Sequence, residues 1–389
     1  MPKRRKKQKK TAAEHTSPLL VRRAALDAPF LIIVMILVVF GLIMLFSASY
    51  ATALYRFHDS FYFIKDQLLF AAVGLVAMMI ASRVDYHIFH RLAWPLMAVS
   101  LLLLVVVLFM PAINNAKRWI TIKGLGTLQP SEIAKFAVIV LFAHIISINY
   151  DKMKSFSYGV VPFVIILAPL LLLMLLEPHL SGTILIAAIG ATMMFVGGTG
   201  LRWFGLAGGV FAGGLGAALI AFPKLVPYAE TRIQMWKNPY LDAQGKGHQT
   251  VQSLLAIGSG GLMGLGLGNS RQKHLYVPEP QNDFIFSIIC EELGFIGAMV
   301  VILLFAMLLV RGAIIALNAK DKFGAMLVVG IIAQVTVQAI LNIAVVTNTI
   351  PNTGISLPFF SYGGTSLMML LGEMGIVLSV SRQGRLQKT

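Results

Sequence analysis

Two short stretches hold the residues best placed to do chemistry. Asp283 lies in VPEPQNDFIF, residues 277–286, between a long polar, glycine-rich segment and an apolar run that continues to Val310. A carboxylate where water meets hydrocarbon has two uses. It can cap a helix, accepting bonds from the first free backbone N–H groups, or act as a general base beside lipid head groups. Glu132 and Lys135 stand one turn apart in QPSEIAKF, residues 129–136. Pro130 suits the first helical position and Glu132 the positive end of the helix dipole. Lys135 does not suit it, because an ammonium near a helix N-terminus opposes the dipole and is costly in hydrocarbon. Either Glu132 neutralises it locally, or Lys135 points into a wet cavity toward a phosphate or a second carboxylate. Asp283, expected at the same depth and on the same side, is the candidate partner.

Further polar groups surround these two stretches. Glu291 and Glu292 follow Asp283 by eight and nine residues, about 12–13 Å deeper in a regular helix. Gln334, Gln338 and Asn342 recur every four residues, a stripe that should face a bundle interior as polar glue. Glu373 is deep in the last apolar run, and intramembrane carboxylates are functional candidates by default. Upstream, Tyr228 to Pro239 carries Arg232, Met235, Trp236 and Lys237, the pattern of a short interfacial helix. Gln249 to Ile257 reads as a helix ended by Gly258-Ser259-Gly260-Gly261. The run GLMGLGLGNSRQKH leads its glycines into Arg271, Lys273 and His274, which suits close backbone approach to a pyrophosphate or plain loop flexibility. It is neither a Walker A loop nor a dinucleotide fingerprint. The uncharged TIPNTGISLPFFSYGGTS, residues 349–366, reads as a constrained or re-entrant turn packed on protein. No HExxH, no Gly-x-Ser-x-Gly and no histidine cluster supports a zinc or serine hydrolase.

The elements that must position these groups are membrane helices. A chain of 389 residues with 57% hydrophobic and 12% charged residues and mean hydropathy +0.80 is a membrane protein. The net charge of +16 does not indicate nucleic acid, since the basic residues lie between apolar segments and in one N-terminal tail. Cys290 is the single cysteine and sits in an apolar run, so no disulfide framework or cysteine metal site arises. About ten spans follow from a need for some 20 apolar residues each, near 29–49, 65–81, 92–111, 131–148, 159–176, 179–197, 202–222, 284–310, 323–346 and 363–380. Glu177-Pro178-His179 makes a tight hairpin between the fifth and sixth. The fold class is therefore an all-α polytopic membrane protein. Its parts are a basic disordered tail (1–26), helices one to seven (27–222), a large loop (223–283), helices eight to ten (284–380) and a short tail (381–389). Loop basicity sets both termini in the cytoplasm and the large loop outside. Lys117, Arg118 and Lys123 are the discordant cluster, on the outer side, where they are either tolerated or a site for an anion.

Several blocks together resemble the SEDS family of bacterial shape, elongation, division and sporulation proteins. They are RWI (118–120), QPSEIAKF, GHQTVQSLLAIGSGGLMGLGLGNSRQKHLYVPEPQNDFIF (247–286), EELG (291–294) and PNTGISLPFFSYGGTS (351–366). The likeness spans the chain after its basic tail, and PEPQNDFIF and SYGGTS lean toward the division-type FtsW branch or its sporulation relative. One departure is EPHLSG at 177–182, where the family more often has Gln-Pro-Asp-x-Gly. The resemblance implies ten helices and a peptidoglycan glycosyltransferase of the bacterial cytoplasmic membrane, at the septum. It would polymerise lipid II and release undecaprenyl diphosphate, beside a single-pass class B penicillin-binding protein (a transpeptidase) and other division proteins. Carried over by motif, the essential carboxylate is Asp283, the Glu-x-x-Lys pair is Glu132 and Lys135, the loop tryptophan is Trp119, and the helix-eight acid is Glu291.

Inverting transfer from a lipid diphosphate needs one base for the acceptor hydroxyl, while the diphosphate leaves without a protonated acid if cations stabilise it. Asp283 is expected as the base and Lys135 as the cation. Arg232, Lys273 or a bound divalent ion (Mg or Mn) are further candidates for the cation. Two other classes remain open: a lipid II flippase using Glu291, Glu292 and Glu373 as relays, and a non-catalytic division scaffold.

Overall fold

The protein is seen in a computed structural model that describes residues 26–111, 117–122, 126–177, 179–209, 230, 233–245 and 247–384. It is an all-α membrane architecture. Eight helices among the described residues are long and apolar enough to cross a bilayer. In chain order the helices are α1 (Ala28–Phe57), α2 (Tyr62–Ala81), α3 (His87–Val107), α4 (Pro130–Asn149), the short α5 (Phe156–Gly159), α6 (Val161–Leu176), α7 (Leu180–Val196), α8 (His248–Gly260), α9 (Ile285–Leu317), α10 (Lys322–Val346) and α11 (Gly364–Gln383). Residues 201–209, the start of the expected seventh span, are also helical, and 210–222 lie outside the described residues. The expected break between the fifth and sixth spans falls at Glu177–His179, between α6 and α7. The tail before residue 26 and Arg232 lie outside the described residues as well.

Burial divides the helices into a centre and a lipid-facing ring. In α4 and α10, 67% of the most apolar window is buried, against 28% in α3. Those two pack on each other and on α7, while α11 packs on α2, and α9 on α1 and α10. Side chains apolar on every face suit such a position, because lipid and protein interior are alike to them. Polar ends pin the bundle. Asp27 caps α1 through Phe30 N at 3.0 Å and is held by Arg311 through two bonds of 2.8 and 2.7 Å. Asp321 caps α10 through Gly324 N at 2.9 Å and also takes the Tyr86 hydroxyl.

Two non-helical features shape the functional end. A β-hairpin pairs β1 (Ile120–Ile122) with β2 (Gly126–Leu128), Thr121 opposite Thr127. The Thr365 hydroxyl at the start of α11 donates to Thr127 O at 3.1 Å and ties the hairpin down. The segment 351–363 between α10 and α11 turns inward, burying Leu357, Phe359 and Phe360. Gly41 of α1 admits it: a Cβ there would stand 2.2 Å from Phe359 O. Irregular backbone at this depth is tolerated because it is packed on protein.

The glycine run is used differently from the expectation of a pyrophosphate cradle. Helix α9 is broken at Gly294 (φ 67°, ψ −164°). The run after α8 repairs the break. Leu265 N and Gly266 N donate to Glu291 O and Glu292 O at 2.9 Å each, and Phe295 N donates to Gly261 O at 2.9 Å. A Cβ on Gly294 would lie 2.3 Å from Gly264 N, so the two backbones meet where no side chain fits. These glycines serve helix repair, and α8 itself runs on through Gly260 rather than stopping at Ile257.

Candidate functional site

Asp283 sits one residue before Phe284, the N-cap position of α9. No side chain caps that helix, so the cap reading of Asp283 fails. Its backbone is fixed instead, since Asn342 Nδ2 of α10 donates to Asp283 O at 2.7 Å and to Ile355 O at 2.6 Å. The neighbouring Ser361 hydroxyl donates to Asn282 O at 2.6 Å, and Tyr362 N to Gln281 O at 2.8 Å. The carboxylate lies beside Gly354, whose φ of 70° turns the chain away from it, and a Cβ there would come within 3.1 Å of Oδ2. Half-buried, it carries no hydrogen bond among the described residues. Burial pushes its pKa up to about 6, Arg118 opposes that rise and Glu279 adds to it. Glu279 is itself held by Arg56 at 2.7 Å.

Among the described residues the cation whose charge acts on Asp283 is Arg118, from the discordant loop cluster, and not Lys135. Burial lowers the Arg118 pKa, while the charges of Asp283 and Glu177 raise it. Arg118 belongs to RWI, and Trp119 beside it is half-buried at the foot of the β-hairpin. Lys117 next to it is exposed and reaches Leu108 O at 3.0 Å. The basic cluster of this loop was legible in the sequence, but that Arg118 acts on Asp283, among the described residues, required the folded chain.

Lys135 keeps the local partner, with an addition. Its ammonium pairs with Glu132 at 2.9 Å and donates to Gln338 Oε1 at 3.4 Å. Glu132 also accepts from the Ser366 hydroxyl at 3.1 Å. These side chains line a cavity of about 30 Å³ with Gln334, Ser356 and Gly363, room for about one water and not for a sugar. Gln338 and Asn342 are one helical turn apart on α10, so the stripe reaches the Lys135 cavity with one residue and the Asp283 backbone with the next. Gln334 continues it by donating to Glu373 at 2.9 Å. The stripe is the signal for Asn342, which sequence reasoning assigned to glue without seeing that it holds the candidate base.

Lys273 is a correction. It is fully buried, paired with Glu292 at 2.7 Å, and bonded to Gly268 O at 2.6 Å. Ser47 of α1 donates to the same Glu292 at 2.6 Å. An ammonium so engaged is not available to a diphosphate. Glu291 likewise faces the loop, accepting from the Ser270 hydroxyl and from Arg271 N at 2.8 Å. Both acids anchor the glycine loop to α9. Among the described residues no three His, Cys, Asp or Glu side chains gather to hold a metal. Magnesium is commonly held by one or two carboxylates plus substrate phosphates, and Asp283 is a carboxylate without a hydrogen bond among the described residues.

Comparison with known proteins follows the same outline. The family model FtsW/RodA/SpoVE, described as "Cell cycle protein", matches residues 27–386. The chain is 43% identical to stage V sporulation protein E of Bacillus subtilis, over 94% of this chain and 100% of that protein. It is 41% identical to the probable peptidoglycan glycosyltransferase FtsW of Trichlorobacter lovleyi, over 92% and 94% of the two chains. Among solved structures, it is similar to a chain of a peptidoglycan synthase complex studied for its coordination of polymerization and crosslinking. That match has TM-score 0.76 and 28% identity, over 92% of this chain and 98% of the other. It is also similar to the rod shape determining protein RodA of Thermus thermophilus, with TM-score 0.68 and 26% identity over 93% and 99%.

Proposed function

Because this chain belongs to the FtsW/RodA/SpoVE cell cycle protein family, the SEDS family, we propose that it is a membrane-embedded peptidoglycan glycosyltransferase that polymerises lipid II, with Asp283 as its base. The observation that carries the reading is the Asp283 carboxylate: half-buried, uncommitted to capping or to any hydrogen bond among the described residues, raised to about 6 and acted on by the charge of Arg118. A base with a pKa near the working pH is ionised often enough to act and still basic enough to take a proton.

Asp283 removes the proton from the acceptor sugar hydroxyl. The oxygen forms its bond to the anomeric carbon of the donor as the bond from that carbon to the diphosphate oxygen breaks, with inversion. The departing diphosphate takes the electron pair, and Arg118 offsets its charge, with Lys135, held by Glu132 and Gln338, acting on it at a distance and not by contact. A divalent ion carried on the diphosphate would further offset that charge. Trp119 offers a flat apolar face beside Arg118 for a sugar ring.

The relatives named as peptidoglycan glycosyltransferases and the likeness to a synthase complex support this over a flippase or a scaffold. They also support a crosslinking partner of the class B penicillin-binding type in the same membrane. Loop charge supports both termini in the cytoplasm, segment 223–283 outside, and work at the division septum or in sporulation is the expected role. Purified chain with labelled lipid II tests the reading: glycan polymer in detergent is the expected result. Translocation without polymer would instead support a flippase, and neither activity a scaffold.

A further inference from the structure

The turn that leads into α9 is held more firmly than a loop connection requires. The backbone carbonyls of Gln281, Asn282 and Asp283 each accept a hydrogen bond from another part of the chain: from Tyr362 N at 2.8 Å, from the Ser361 hydroxyl at 2.6 Å and from Asn342 Nδ2 at 2.7 Å. The side chains of the first two are gathered as well. Gln281 Nε2 donates to Glu279 Oε2 at 2.8 Å, and Asn282 Nδ2 donates to the same oxygen at 3.2 Å. The other oxygen of Glu279 takes Arg56 of α1 at 2.7 Å. Asn282 N closes the turn on Glu279 O at 3.0 Å. Glu279 does this with φ 49°, a left-handed conformation that a residue other than glycine keeps only when its surroundings over-determine it.

We infer that Glu279 is a positioning residue for the transfer: by binding the Gln281 and Asn282 amides on one oxygen while Arg56 holds the other to α1, it fixes the turn that aims Asp283 at the acceptor hydroxyl. The inference rests on the reading of Asp283 as base. Stability does not account for Glu279. Its side chain is 43% exposed and that of Arg56 48%, and an ion pair so open to water adds little to the folded state. A left-handed glutamate costs free energy besides. What the contacts supply is precision. A base displaced by about 1 Å loses much of its effect, because the reacting atoms must come within hydrogen-bond reach. The Glu279 charge also acts on Asp283, so the amide contacts and the charge must be read apart.

The experiment measures kcat and KM for lipid II polymerisation, together with Tm in detergent, for Glu279→Ala and Glu279→Gln. Alanine removes the acceptor of both amides. Its kcat should fall about tenfold or more while KM stays within about twofold of the parent. Its Tm should stay within about 2 °C, since the pair it breaks is exposed. Glutamine keeps a side-chain oxygen for the two amides and loses the charge, so it should recover kcat to within about threefold of the parent. If Glu279→Ala does not accumulate, Glu279→Gly is read in its place, because glycine adopts φ 49° without strain. A parental kcat in Glu279→Ala would overturn the inference. A glutamine variant as slow as the alanine one would also overturn it, by making the charge the active feature. A raised KM at unchanged kcat would make Glu279 a substrate contact instead, and activity lost in step with a fallen Tm would make it structural only. Full activity of Asp283→Asn would remove the base reading from which the inference starts.

Discussion

Replacing Asp283 with asparagine removes a proton acceptor and leaves the shape almost unchanged. Polymerisation should fall by about 10²-fold or more if proton removal limits transfer, measured with purified protein and lipid II. The pH dependence has a definite sign. A carboxyl raised to about 6 loses its charge as the pH falls through that value, so kcat/KM should drop on the acid side of about 6. For stability the direction reverses. The folded state holds this proton more tightly than the unfolded one, so between the ordinary 3.8 and about 6 stability declines as pH rises. At neutral pH the charge is a cost, and Asp283→Asn should melt no lower than the parent. A parental rate in the Asn variant would leave Asp283 without a catalytic role. Lys135 calls for two variants, because it is buried against Glu132 at 2.9 Å. Lys135→Met alone strands a carboxylate and should lower thermal stability. Lys135→Met with Glu132→Gln should recover the stability while activity stays about tenfold or more below the parent. Recovery of both would make the pair structural only.

At the scale of elements, α9 depends on its repair. Gly294 combines φ 67° with a Cβ position 2.3 Å from Gly264 N. Gly294→Ala should therefore destabilise by on the order of 3 kcal/mol or more, as strain and overpacking add, read as a lowered Tm in detergent. Gly258, which has nothing within 4 Å of its Cβ position, is the control that should tolerate alanine with little change. The helical stripe on α10 belongs to this scale too. Its four-residue period marked Gln334, Gln338 and Asn342 as facing inward, and they do meet Glu373, Lys135 and the Asp283 carbonyl. Periodicity yields the face of a helix, but not what another helix brings opposite it.

For the whole molecule, the remaining question is which way it sits in the bilayer. With Cys290 replaced by serine, a cysteine at the exposed Leu241 should react with an impermeant maleimide only from outside the cell. Labelling solely from the cytoplasm would invert the topology and put Asp283 on the wrong side for a substrate delivered outward. The same inversion would leave the lysine- and arginine-free loop 347–360 inside, against the usual bias of basic residues.

Class and helix positions were legible in the chain by itself, and so was Asp283 as a candidate. Apolar length decides where a helix can span, and a lone carboxylate at such a helix's mouth stands out whatever surrounds it. Local pairs were legible as well, as with Glu132 and Lys135, because residues three apart on a helix are neighbours by construction. The long-range choices were not. The charge of Arg118 acts on Asp283 across a sequence gap of more than a hundred residues, and Lys117 or Lys123 would have fitted the same charge argument. Lys273 carries the charge of a diphosphate ligand, yet α1 and α9 enclose it against Glu292. The glycine run has the composition of an anion cradle and is spent on the gap at Gly294. In each case the residue's chemistry was set by the sequence, and its partner by how the helices packed. A charge or a backbone amide in a membrane protein takes whichever counterpart tertiary structure places within reach.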